Sequence, residues 1–168
     1  MTDTIAQLLV ENIQPRRGQG WHGGPTPVGA LRGVSAEQAL WQPFPGRKSI
    51  WQLTLHIAYW KYRVRHRLEG DEGARFPRSP ANWPRVPEVA SAAAWRADVA
   101  LLRSEHEQLV DAVAGVPGRR YGEVLPGGRG WKVGELILGI AQHDAYHAGQ
   151  IQMLKRLWQA AHQAPGGI

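Results

Sequence analysis

His143 and His147 stand four residues apart in Gln142-His143-Asp144-Ala145-Tyr146-His147. On a helix, two imidazoles at that spacing project from one face and can chelate one metal ion. The segment should be helical, because Val133, Leu136, Ile140, His143, His147, Ile151, Leu154 and Trp158 follow one another at steps of three and four. Both histidines then lie on the stripe that faces a core. Buried imidazoles need partners for their ring nitrogens. A divalent metal would satisfy both at once; the bland alternative is a pair of core histidines bonded to neighbouring backbone or side chains.

Two ligands do not complete a site, so a third must come from elsewhere. His56 is interior to an apolar helix, between Leu55 and Ile57, and a bundle can bring that helix beside the last one. His106, on the stripe of another helix, competes with it, as does His22 in a glycine-rich loop. His66, among Arg63, Arg65 and Arg67, and His162, near the C-terminus, read as surface residues. A zincin would place Glu directly after the first histidine as general base, and here that position is Asp144. The shorter carboxylate argues against a protease of that type. It leaves Asp144 to orient a histidine, to pair with a neighbouring helix, or simply to face solvent. Tyr146 and Gln150 border the pair and could touch a substrate or fill helix-helix space.

The elements that must position these residues are four helices, and no stretch has the period-two alternation of a sheet, so an all-α domain over residues 1–168 is expected. The first should run from Asp3 or Thr4 to Ile13, with Ile5, Leu8, Leu9 and Asn12 on one face. The second should run from a Ser49-Gln52 capping box through Leu68 to Gly70, with Leu53, Ile57, Trp60 and Val64 as its stripe. The third starts near Ser91 and ends before Gly115 and Pro117, and the fourth runs from about Lys132 to Ala161, about 45 Å of helix. No Ser, Thr, Asp or Asn marks the start of the fourth. The connections are long for a bundle. Residues 14–48 should include a short helix over Ser35 to Leu40, and 71–90, with Pro77, Pro80, Pro84 and Pro87, should be extended and pinned by Trp83.

Composition narrows the chemistry. The chain has no cysteine, which excludes disulfides, thiolate ligands and a cysteine nucleophile. Any thiol must come from outside. Twenty Lys plus Arg against fourteen Asp plus Glu give a net charge of +6, which raises an anionic small molecule or nucleic acid as a partner. The arginines are scattered and form no nucleic-acid-binding motif, so a small-molecule substrate is expected and nucleic acid is not. Met1 to Asn12 lacks a signal-peptide pattern and no apolar run is long enough to span a bilayer, so a cytoplasmic location away from the membrane is expected.

Three stretches in order, Trp21-His22-Gly23, Ser49-Ile50-Trp51 followed by Leu55-His56-Ile57-Ala58, and Gln142 to Ile151, give a resemblance to the DinB/YfiT-like superfamily, in its branch with a Trp-His-Gly loop. The resemblance implies a four-helix bundle with an unusual connection between helices, and a metal held by three histidines, here His56, His143 and His147. His106 matches no family ligand, and His22 would line the site rather than ligate. Members with known activity include thiol-dependent S-transferases and a mycothiol-dependent isomerase, so the cofactors implied are a divalent transition metal and a low-molecular-weight thiol. Zinc or nickel come ahead of iron, cobalt or copper. The family name refers to damage-inducible expression and does not imply DNA binding.

The leading expectation is an enzyme in which three neutral imidazoles leave a position for a thiol or water whose pKa the metal lowers. Arg75, Arg78 or Arg85 could then receive the carboxylate of a thiol cofactor. The alternatives are a metal-dependent hydrolase with Asp144 as base, and a non-catalytic metal-binding or stress-response protein. A homodimer is expected from the resemblance and from the eight tryptophans.

Overall fold

A computed structural model describes residues 4–15, 23–71, 73, 75–126 and 130–162. It is all-α: α1 Thr4–Ile13, α2 Pro27–Ala30, α3 Ala36–Leu40, α4 Ile50–Glu69, α5 Ala92–Ala114 and α6 Val133–His162. The four long helices are those expected from periodicity, and α3 is the short helix capped by Ser35. The two-turn-or-less α2, capped by the Thr26 hydroxyl and opened by Pro27, had not been anticipated. An isolated β-bridge joins Val124 and Lys132.

Helix α4 is the centre of the bundle and packs against both α5 and α6. Both halves of the Ser49-Gln52 capping box form, and Gly70 closes the helix at φ 76°, a left-handed conformation that glycine adopts without a Cβ penalty. The expected stripe is only part of what α4 buries. Trp51, Leu55, Ala58, Lys61 and Tyr62 are buried too, and Trp60 only partly, because α4 is covered from several sides.

The apolar core has two parts. One gathers Trp51, Leu55, Trp95, Leu102 and Ile151, and the other gathers Val64, Leu68, Leu109, Val113, Val133 and Ile137. Along α4, α5 and α6 the stretches between the two parts carry Lys61, Glu105 and His106, and His143 and Asp144, with Lys61 and Asp144 ion-paired across α4 and α6. A polar layer therefore divides the core. The two apolar parts also fix chain direction. Helices α4 and α5 both run from the first part to the second, so the connection over residues 70–91 must return along the bundle's length. Helix α4 rises about 30 Å, and an extended chain of that many residues reaches well beyond it. This is the unusual connection, and it carries Asn82 and Trp83 past the middle of α4.

Two faces differ from the sequence expectation. On α1, Ala6, Leu9 and Ile13 are buried while Ile5 and Leu8 are more than half exposed. Ile5 and Leu8 stay exposed because α1 packs on α5 and α6 through Ala6, Leu9 and Ile13. On α6 the buried line is Val133, Ile137, Ile140, Asp144, His147, Ala148, Ile151 and Leu154. Asp144 is thus at the centre of the core face and His143 at its edge. The missing cap of α6 is replaced by the preceding loop. Val133 and Gly134 N–H groups donate to the carbonyls of Glu123 and Tyr121, and the Glu135 carboxylate accepts from the Lys132 N–H. No helix of the described residues is long and apolar enough to cross a membrane.

Candidate metal centre

Helices α4 and α6 bring His56, His143 and His147 together, with one nitrogen of each within 4.8 Å of the others. The His143 Nε2 lies 3.1 Å from Nε2 of His56 and 3.1 Å from Nε2 of His147. His56 and His147 are buried, and His143 is half-buried.

The outer nitrogens explain why the inner ones point as they do. His56 Nδ1 lies 2.8 Å from the backbone carbonyl of Asn82. A carbonyl only accepts, so Nδ1 carries the proton and Nε2 presents its lone pair. His147 Nδ1 donates in the same way to Gln150 Oε1 at 2.6 Å. Two lone pairs therefore face His143 Nε2, which can donate to one of them at most. Its own Nδ1 is buried with no hydrogen-bond partner among the described residues. A cation among the three Nε2 atoms would resolve this excess of acceptors, and three imidazole nitrogens suit a borderline transition metal. The residues fit a metal ion.

Desolvation prepares the same protonation state. Burial pushes His56 down to about 4, against the Asn82 hydrogen bond, which favours the charged form. Burial, with His147 and His56 close by, pushes His143 down to about 3. His147 is also lowered by burial, opposed by its bond to Gln150 and by Asp144. All three rings are neutral at pH 7, the form that ligates.

The return connection holds His56 from outside. The Trp83 ring stacks on the imidazole with centroids 3.8 Å apart and planes 9° apart. Asn82 has φ 71°, a left-handed conformation asparagine tolerates better than most residues. Its side-chain Oδ1 accepts from Trp60 Nε1 at 2.9 Å. Trp83 does pin this segment, as its composition suggested, but the task of Asn82 carried no sequence signal, since its contact to His56 spans 26 residues.

Asp144 faces neither solvent nor the ring nitrogens. It forms a buried ion pair with Lys61 of α4, the neighbouring-helix role. Burial pushes its carboxyl up, while the Lys61 ammonium opposes that. Its Oδ1 has no hydrogen-bond partner among the described residues. Lys61 went unnoticed in the sequence because a lysine inside a helix ordinarily marks a solvated face.

The remaining histidines separate clearly. His106 sits on α5 outside the cluster, pushed down to about 4 by burial and then by Lys61. His66 was expected at the surface but is 8% exposed, with Nδ1 3.1 Å from an Asp71 carboxylate oxygen. The run of arginines around it is compatible with burial because Arg65 turns to Glu105 and Glu69. His162 is exposed, stacked on Trp158. Trp21 and His22 lie outside the described residues. Arg78 is engaged with Asp98, whose other oxygen accepts from Trp51 Nε1; Arg75 and Arg85 are exposed.

A groove of about 580 Å³ opens beside His147 and Gln150, between α6 and the residues preceding α4. Arg47 and Lys48 line it, neither singled out by sequence. Comparison with curated proteins and with solved structures gives no match. The family model of the DinB superfamily matches residues 28–151, a span that holds His56, the return connection, His143 and His147. With that match over most of its 168 residues, the chain belongs to the DinB superfamily.

Proposed function

We propose that the chain is a metal-dependent enzyme that holds a divalent transition ion on His56, His143 and His147 and acts on a small molecule with the help of an external low-molecular-weight thiol. The observation that carries this is the pair of anchored tautomers. Asn82 and Gln150 each accept from an outer Nδ1, which leaves two lone pairs converging on His143 Nε2. Such outer contacts orient ligand rings and raise their basicity. Zinc or nickel suits the three imidazoles first, with iron, cobalt or copper also accepted by nitrogen donors.

When bound, such a metal supplies a Lewis acid that favours the deprotonated form of a thiol or water at neutral pH. The chain's own residues do the rest. Trp83 covers one face of His56 and shields it from water. Gln150 fixes His147 while lining the groove through which a small molecule reaches the cluster. With no cysteine in the sequence, no protein thiolate competes with an external one.

The test is electrophile consumption by protein loaded with defined zinc or nickel, with and without small thiols. Thiol-dependent turnover supports the transferase. Turnover without thiol points to hydrolysis, and no turnover with either metal points to a non-catalytic metal-binding role.

A further inference from the structure

The groove beside His147 combines two features that the metal cluster does not require. Its rim is apolar and open: Phe44 is 66% exposed, Met153 57% and Leu157 39%, with Leu53 and Trp83 deeper in. Its remaining wall is cationic. Arg47 and Lys48 both line it, none of its lining side chains is acidic, and neither cation has a carboxylate partner among the described residues. The Lys48 ammonium instead lies 4.6 Å from the centroid of the Trp83 ring that covers His56. Arg65, Arg78 and Arg120, by contrast, are each paired with an acid.

From this we infer that the groove binds an organic carboxylate with an apolar chain or ring, its carboxylate held by Arg47 and Lys48 and its body against Phe44, Met153 and Leu157. The volume, about 580 Å³, is that of a small-molecule pocket and not of a macromolecular interface. A guanidinium beside an ammonium suits a carboxylate because the guanidinium fork engages both oxygens. Exposed apolar side chains around it are covered by the ligand body, which removes them from water. The inference rests on the proposed reaction centre for one thing only, the placement of the ligand's reacting end toward His147, and so names the substrate class for that site.

Calorimetric titration of the full chain with phenylbutyrate and with its neutral amide, phenylbutanamide, tests it in zinc-loaded and in chelator-treated protein. The carboxylate should bind about tenfold more tightly than the amide in both states at low salt, a preference that shrinks as salt screens the cations. In an R47Q/K48Q variant, with both changes at exposed positions, the two ligands should bind alike. In His143→Ala the preference should persist while zinc binding is lost. That separates a failure of the metal centre from a failure of the anion site. Equal binding of acid and amide by the unaltered chain, absence of binding by both, or a preference that survives R47Q/K48Q would overturn the assignment.

Discussion

The backbone carbonyl of Asn82 accepts a hydrogen bond from Nδ1 of His56 at 2.8 Å, so a loop residue decides which nitrogen of an α4 histidine faces the cluster. The same residue, at φ 71°, receives the Trp60 indole N–H on its side chain. Asn82→Ala combines a left-handed backbone cost of about 1 kcal/mol with loss of a hydrogen bond of about 1 kcal/mol. Urea unfolding should therefore show a loss of about 2 kcal/mol in total. Asn82→Gly keeps the backbone free and should lose about half as much. Zinc affinity should fall on the order of tenfold in the alanine variant, through displacement of His56. Equal destabilisation by glycine and alanine would show that the backbone conformation contributes nothing.

The Lys61–Asp144 pair lies in the polar layer between the two apolar parts of the core, with side chains 0% and 5% exposed. Lys61→Met leaves Asp144 buried without its cation and should cost about 3–5 kcal/mol. The double change K61M/D144L removes both charges and should restore most of that loss, because two desolvation penalties disappear with the attraction. The double variant should still bind zinc, since neither side chain points a donor at the cluster. Additive destabilisation in a denaturant double-mutant cycle would contradict this account.

Acid stability follows from the buried histidines. His106 is held down to about 4, His56 to about 4 and His143 to about 3, against about 6.5 in an unfolded chain. Between those values the unfolded state carries protons that the folded state does not. Stability of metal-free protein should therefore be full above pH 6.5 and fall as pH is lowered through about 4. His106→Leu, which leaves the three-histidine cluster in place, should flatten that dependence in urea midpoints measured from pH 7.5 to pH 4.5. An unchanged slope in His106→Leu would show that His106 does not contribute to it.

What could be seen in the sequence divides along the range of the interaction. The His143 and His147 pair was legible because helix geometry is local, and so were Ser49, Gln52 and Gly70, whose capping acts within a turn. The choice of His56 over His106 was not settled by spacing, since both lie within apolar helices; family resemblance pointed to His56, and the structure brings it to the pair. The face of Ile5 and Leu8 was misjudged because apolar spacing alone cannot say which of two adjoining faces a bundle covers, and for the same reason spacing left Asp144 open between a histidine partner, a neighbouring helix and solvent. Asn82, Lys61, Arg47 and Lys48 act across contacts that no periodicity records. The start of α6 was obscure because the Val133 and Gly134 donors are satisfied by the backbone of Glu123 and Tyr121 and not by a Ser, Thr, Asp or Asn cap.

The central claim is that His56, His143 and His147 form one metal site, and metal stoichiometry tests it most directly. Chelator-treated chain would be equilibrated with zinc or with nickel and its bound metal determined by elemental mass spectrometry, beside His56→Ala, His143→Ala and His147→Ala, with helicity checked in each. The account predicts about one ion per unaltered chain and loss of most bound metal in each folded single variant. Metal content unchanged by any one of these three substitutions would contradict it.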